Sequence, residues 1–515
     1  MISILTLASR ILGLLRDAIC SRVFGPVVLH YFYVPFQIPN LARRIFGEGA
    51  LTAALIPVYT EQLHKDSKAA KDLSRCVITL LVITLAALTL LGYGVLGLLW
   101  QFSNHTANNA LMINLCFIML PYVILICSVA ALGGLLNVHR HFFAPAAAPI
   151  VLNICIISAA LFFRKYFGDD KYQQVFALAW AVILAGFLQL LIQLPALKAH
   201  NISIKPKLDL NQPGLKTIFK LMAPMIIGLA AVQLNTLFDN LIALWLSATE
   251  TNQTFTLLGY TIKYPVHEGS VAFLYNAQRC YQFPLGVFGI AIATAVFPIL
   301  SKHATTKDYK SFADTLSDGI GLVFFIGLPA TAGMIIVRNQ MVKLIFEGNE
   351  FLPIHTAATA DTLLFYAMGI AIFCLQQLIV RAFYSFQDSV TPAKIAVRMV
   401  VLNFFMNLIL IWPLGTGGLA LSTSICAAIQ VVVLTRILLK RYDLHISTTL
   451  KLSLTKTIIA TIAMTIICII VLKILPTDSS LVQLLAAVTV CLTSFITAAK
   501  ILKMPELKIL IHKAK

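Results

Sequence analysis

The chain has 515 residues, 59% of them hydrophobic and 12% charged, with a mean hydropathy of +0.88. A soluble domain carries about twice that charged fraction, so the formal net charge of +18 does not point to a soluble nucleic-acid-binding protein. The apolar runs are continuous over about 20 residues instead of alternating, which excludes a closed β-barrel and leaves an all-α polytopic membrane protein.

Fourteen transmembrane helices are predicted, at 2–24, 29–60, 76–101, 110–136, 143–163, 174–195, 217–247, 271–300, 312–337, 358–383, 391–412, 417–438, 453–475 and 482–502. The first apolar stretch lacks a basic leader and a small-residue cleavage site, so it reads as a span and not as a cleavable signal. Its sequence, LTLASRILGLLRDAICSRVFG, holds Arg10, Arg16, Asp17 and Arg22. An arginine at the bilayer centre costs about 2.5–3.5 kcal/mol on insertion scales, so such residues face a polar cavity. Arg10 and Asp17 are seven apart and share a helix face, while Arg16 points elsewhere unless the helix bends. The adjacent Arg16–Asp17 pair also fits a structural ion pair that fixes two helices.

The second span opens YFYVPFQIPNLARRIFGEGAL. Pro35 and Pro39 each remove a backbone donor, and Gly47 and Gly49 loosen the helix further; broken spans are tolerated where a polar cavity satisfies the freed groups. Arg44 and Glu48 stand at i, i+4 and are expected to pair. Arg43 has no such local partner and is assigned to ligand, Arg44 to structure or to the interface.

In the second half Arg279 stands in LYNAQRCYQFPLG, with Asp239 in the preceding span as its expected partner. Arg381 is placed near the cytoplasmic surface, and Arg398 is matched with Asp361. Eight arginines thus lie in segments that otherwise read as spanning helix, five of them in the first 44 residues. Arginine keeps its charge when desolvated and forks onto phosphate or carboxylate oxygens, which buried lysine does not do reliably. The expectation is a cationic chamber in the membrane for an anion, held mainly by the N-terminal bundle with Arg279 reaching across.

Lys65, Lys68, Lys71, Arg75, Lys198, Lys205, Lys207, Lys302, Lys307, Lys440 and Arg441 all fall in connections after even-numbered spans. The intervening loops hold far fewer basic residues, among them Arg164, Lys171 and Lys263. Positive residues mark the cytoplasmic side, so both termini are expected there.

The two halves repeat. AALIPVY at 53–59 matches TAVFPIL at 294–300, with Pro57 and Pro298 separated by 241 positions; LAWAVILAGFLQ at 178–189 matches LALSTSICAAIQ at 419–430 at the same offset. FQIPN at 36–40 is similar to YQFPL at 281–285 one turn out of register, and Pro145 corresponds to Pro392. Six helices per repeat preserve topology, which implies a pseudo-two-fold along the membrane normal and a midplane site. The expected division is a six-helix bundle at 1–195, a basic cytoplasmic linker at 196–216, a second bundle at 217–438, and two additional helices with a basic tail at 439–515.

Other signals are weak. His30, His139, His141 and His267 lack metal-ligand spacing. The ten cysteines read as buried small hydrophobes, Asp169–Asp170 as a solvated turn, and no P-loop is present. No cofactor, metal or nucleic acid is expected.

With these residues in view, the chain resembles the MurJ/MviN lipid II flippases of the MOP exporter superfamily. The segments that carry the resemblance are SRILGLLRDAICSRVFG, FQIPNLARRIFGEGALTAALIPVYTE and QFPLGVFGIAIATAVFPILS, with support from FYSFQDSVTP. It implies translocation of lipid II, the undecaprenyl-diphosphate-linked peptidoglycan precursor, from the cytoplasmic to the outer leaflet of a bacterial inner membrane. It also implies that Arg10, Arg16, Asp17, Arg43, Glu48 and Arg279 hold substrate, with Arg22, His30, Asn40, Arg44, Asp239 and Gln278 as supporting positions. The two extra C-terminal helices are expected to form a groove for the polyprenyl tail, and the cell-wall synthesis machinery is the implied partner besides membrane lipids. His30 and Gln278 stand where many members carry acids, and the 248–270 loop is longer than usual; these departures leave the coupling ion open.

The expected mechanism is alternating access by rocking of 2–195 against 217–438. An inside-negative membrane potential contributes about 2.3 kcal/mol per charge per 100 mV crossed. The competing readings are a polysaccharide-lipid or multidrug exporter of the same superfamily, which would place acids in the cavity, and a membrane enzyme acting on polyprenyl phosphates, which would need clustered acids for Mg²⁺.

Overall fold

The computed structural model describes residues 2–102, 106–249, 252–257, 259–445, 447–475 and 477–507. Helix α1 (Ile2–Ala42) is two helices joined at Gly25, whose φ of 71° and ψ of 167° interrupt the ladder. A π-helical stretch (Arg43–Leu51) leads into α2 (Thr52–Lys65), and then follow α3 (Ser67–Phe102), α4 (Ala107–Met119), α5 (Tyr122–Val138), α6 (Phe143–Ser158), the short α7 (Lys171–Gln174) and α8 (Phe176–Ala199). A short π-helical turn (Ala159–Phe163) follows α6. The second half runs α9 (Leu215–Trp245), α10 (Ser270–Pro284), a further π-helical stretch (Leu285–Gly289), α11 (Ile290–Thr305), α12 (Tyr309–Phe346), α13 (Pro353–Met368), α14 (Ile370–Ser385), α15 (Val390–Leu414) and α16 (Thr416–Arg441). The last two helices are α17 (Thr448–Ile474) and α18 (Ser480–Ile501).

Among the described residues, ten helices are long and apolar enough to cross a membrane, or eleven with α13 and α14, bent by 42°, taken as one span. These fall on eleven predicted spans. The predicted first, second and seventh spans are also helical, in α1, in α1 through α2, and in α9. Fourteen spans are consistent with this order.

The chain divides into two compact units, Met1–Leu241 with Gly348–Phe351, and Ile242–Glu347 with Leu352–Lys515. In the first, α1 packs on α4 and α6, α6 on α8, and the π-helical stretch on α5. In the second, α12 is the hub, packed on α11, α13, α14, α17 and α18, while α15 pairs with α16. Phe312, Leu316, Leu378, Phe383 and Leu434 fill its core, and a separate cluster of Phe325, Met464 and Phe495 ties the C-terminal pair to α12.

Lipid tails are as apolar as leucine, so close van der Waals packing and hydrogen bonds, and not transfer from water, hold spanning helices together. Small residues make that approach here. A Cβ on Gly47 would lie 2.8 Å from the Ala130 Cβ and 3.4 Å from the Cys127 Cα; one on Gly289 would lie 2.7 Å from the Cys374 Sγ and 3.0 Å from its Cα. Cys127 and Cys374 stand 247 positions apart, the same separation as Pro145 and Pro392. The internal repeat thus extends to a π-helical stretch in each unit, seated on an equivalent cysteine-bearing helix. None of the ten cysteines, all of them described residues, forms a disulfide.

The segment Gly348–Phe351 belongs to the first unit. Glu350 N donates to the Arg22 carbonyl at 3.0 Å, its carboxylate meets Lys171 Nζ at 3.3 Å, and Lys171 Nζ also donates to the Val23 carbonyl at 3.1 Å. A Cβ on Gly25 would sit 3.1 Å from the Glu350 Cβ and carbonyl oxygen; close approach and positive φ together require glycine there.

The described residues of the long 248–270 loop form short strands. β1 (Ser247–Ala248) pairs in parallel with β4 (Val266–His267), and β2 (Thr254–Leu257) antiparallel with β3 (Tyr260–Lys263). The connection between α8 and α9 is tied down as well: Arg75 Nε donates to the Lys205 carbonyl at 3.0 Å, Lys207 N to Thr79 Oγ1 at 3.0 Å, and Lys207 Nζ meets Asp72 at 2.9 Å.

Candidate functional site

Arg16 and Asp17 are the best defined of the predicted site residues. They are 7% and 2% exposed, although they sit side by side on one helix. Arg16 donates from Nε to Asp17 Oδ1 at 2.9 Å and from Nη2 to the same oxygen at 2.6 Å; Nη1 donates to Asn153 Oδ1 on α6 at 3.1 Å. The Arg16 guanidinium carbon also lies 5.4 Å from the centroid of Phe36. Asn153 in turn donates to the Ser9 carbonyl at 3.1 Å. Asp17 is thus engaged by its neighbour Arg16, where spacing had put it on a common face with Arg10. Arg10 is exposed.

Arg43 opens the first π-helical stretch and lines a cavity of about 320 Å³ with Thr52, Asn137, Gln189 and Gln193. Gln189 accepts at Oε1 from the Tyr122 hydroxyl at 3.2 Å and donates from Nε2 to the Ala148 carbonyl at 2.7 Å, and Gln193 Nε2 donates to the Val129 carbonyl at 3.2 Å. Arg44 instead extends to Gln233 on α9, Nη1 to Oε1 at 3.0 Å, and is exposed. Its expected partner Glu48 has a side chain outside the described residues. Arg22 is half-buried beside Gly348, and Asn40 donates back to the Phe36 carbonyl at 2.9 Å, next to the donor that Pro39 lacks. His30 is fully buried edge-on to the Tyr31 ring.

Asp239 is buried near the end of α9, beside Asn240, which donates to Gln37 at 2.6 Å. In the second unit Arg279 is half-buried on α10, hydrogen-bonded to the Tyr275 hydroxyl and 4.6 Å from that ring's centroid. Its neighbour Gln278 donates to the Tyr366 hydroxyl at 3.0 Å. Arg381 is half-buried and bonded to Thr294, and Arg398 is exposed. Among the described residues no group of three or more His, Cys, Asp or Glu could hold a metal ion.

Three polar residues of the first unit were not singled out from sequence. Asn153 interrupts the apolar run IVLNICII, and Gln189 and Gln193 stand four apart in LQLLIQ on α8, so they share a helix face. Each carried a signal as a lone polar residue in an apolar span.

The "Lipid II flippase MurJ" family profile matches residues 20–490. The chain belongs to the MurJ lipid II flippase family. It is 32% identical over 449 residues to the probable lipid II flippase MurJ of Vibrio cholerae, covering 84% of this chain and 81% of that protein. Among solved structures, a lipid II flippase MurJ in an inward closed conformation superposes with a TM-score of 0.76 at 24% identity, over 97% of this chain and 99% of that one. An inward-facing multidrug resistance MATE transporter of the MOP superfamily reaches a TM-score of 0.66 at 14% identity, over 87% of this chain and 98% of that one; at such identities both likenesses establish the fold alone. This MurJ-family chain is a multi-pass membrane transporter and not an enzyme.

Proposed function

We propose that this protein translocates lipid II from the cytoplasmic to the outer leaflet of the bacterial inner membrane by alternating access, delivering it to the cell-wall synthesis machinery. The observation that carries the reading is a guanidinium, Arg16, fixed by Asp17 and Asn153 inside a spanning helix of a MurJ-family chain. A diphosphate needs charges that survive desolvation and forked donors held in one plane, and arginine supplies both. Arg10, Arg16, Arg43 and Arg279 are assigned to the diphosphate and the acidic groups of the head, with Asp17 and Glu48 orienting them. Arg22, His30, Asn40, Arg44, Asp239 and Gln278 are assigned supporting roles.

The distribution of lysines supports a cytoplasmic position for both termini and for the connection between α8 and α9. Transport of an anion outward then runs with an inside-negative potential, which is offered as one driving force; no cofactor is invoked.

The reading is tested by reconstituting the purified full chain in vesicles that carry lipid II, and following its arrival in the opposite leaflet. Lipid II movement that is lost in Arg43→Ala is the expected result. Vesicles that move a cationic drug and leave lipid II in place would put the chain among the multidrug exporters instead.

A further inference from the structure

The cavity beside Arg43 is unevenly provided with hydrogen bonds. Gln193 is fully buried, and its amide nitrogen is spent on the Val129 carbonyl. Its Oε1 has no hydrogen-bond partner among the described residues. A buried amide oxygen without a partner is uncommon and calls for a donor. The same cavity presents Arg43, which can only donate. Diphosphate oxygens would satisfy the arginine and leave Gln193 unanswered, because an ionised phosphate has no proton to give. The volume of about 320 Å³ lies at the lower end of what small-molecule sites enclose.

We infer that this cavity is a subsite for an amide-bearing part of the transported head group. The amide N–H donates to Gln193 Oε1, and carbonyl oxygen is presented to Arg43. The inference rests on the lipid II reading above and deepens it: besides charge, the first unit recognises an acetamido or peptide group. Two parts of lipid II carry that chemistry, the N-acetylated sugars and the peptide stem.

Three probes separate the sources: undecaprenyl diphosphate, undecaprenyl-diphosphate-linked N-acetylglucosamine, and lipid II, each titrated against the purified full chain in nanodiscs by native mass spectrometry. Wild type is expected to bind lipid II more tightly than undecaprenyl diphosphate. Gln193→Met is expected to shrink that preference about five- to tenfold, the weight of one buried hydrogen bond. An unchanged melting temperature of Gln193→Met in the same nanodiscs, with undecaprenyl diphosphate binding retained, shows that the variant is folded. If the sugar-only probe shares the preference and its loss, the acetamido group is the occupant; if only lipid II does, the peptide is. An unchanged preference in Gln193→Met, or equal weakening of all three probes, would mean that the cavity holds water alone and would overturn the inference while leaving the flippase reading intact. Failure of wild type to bind lipid II at all would remove the flippase reading and this inference with it.

Discussion

Each half of the chain carries a π-helical stretch that follows one proline and precedes another: Arg43–Leu51 between Pro39 and Pro57, and Leu285–Gly289 between Pro284 and Pro298. Both are seated by a glycine on a cysteine-bearing helix. Their chemistry differs. The first begins with Arg43 and Arg44 and follows a helix bearing the buried Arg16–Asp17 pair; the second, LGVFG, carries no charge. Apart from Glu506, the polar side chains buried among the described residues of the second unit are neutral, as between α15 and α16. There Asn407 Nδ2 donates to Asn403 Oδ1 at 2.9 Å, Asn403 Nδ2 to Ser422 Oγ at 3.1 Å, and Ser422 to Asn407. A backbone device for breaking a spanning helix has been kept in both halves, while the fixed cations have been concentrated in one.

The sharpest way to break this comparison is to separate charge from packing at Arg16. Asp17→Ala leaves a buried guanidinium without its carboxylate and is expected to cost about 3–5 kcal/mol, together with lipid II transport. The double variant Arg16→Met with Asp17→Leu is expected to recover the thermal stability and not the transport. Recovery of both would make the pair structural, and the two halves alike in function.

The next effect is steric. Gly47→Ala and Gly289→Ala each bring a methyl within 3.0 Å of the facing helix, so overpacking is expected to cost about 1–3 kcal/mol in each case. Similar melting shifts for the two variants would support equivalent seats. A shift at one site alone would confine the device to that half.

A smaller effect is expected at Lys171. Its pair with Glu350 is partly exposed, so Lys171→Ala is expected to cost about 0–1 kcal/mol, and raising salt should erase part of the difference from wild type in a melting experiment.

Least is expected at Asp72, in the charged first turns of α3 ahead of the predicted span 76–101. The hydrogen bond from Lys207 is the main influence holding its carboxyl below the usual range, against opposing desolvation, with the Lys207, Arg75 and Lys68 charges adding to it. A depressed carboxylate contributes attachment that is present above its unfolded-state value and lost as pH falls through the lower folded-state value. Proteolysis of the connection between α8 and α9 should therefore increase only under acid conditions in wild type, and at neutral pH in Asp72→Asn. Equal protection of the variant at neutral pH would show that the neighbouring backbone hydrogen bonds suffice.

Most of the fold was legible because a bilayer imposes length and apolarity on every span. The cations were legible for the same reason, since an arginine in an apolar run stands out. The partners were legible only in part. Adjacency offers an Arg16–Asp17 ion pair, which the structure shows, but nothing local points to Asn153, 137 residues on. Helical spacing matches Arg44 with Glu48, whose side chain lies outside the described residues; the contact of Arg44 with Gln233, 189 residues on, has no local signal.

The sequence by itself determined the membrane-spanning helices, the repeated prolines and the concentration of arginine in the first 44 residues, because each is a property of local composition and of the cost of charge in hydrocarbon. Only the tertiary structure decided that Gln193 and Arg43 line one cavity, that Gly25 bends around Glu350, and that the 248–270 loop pairs into short strands. Those contacts join residues far apart in the chain, and their free energy depends on which side chains the packing brings within hydrogen-bond reach, which no helical period encodes.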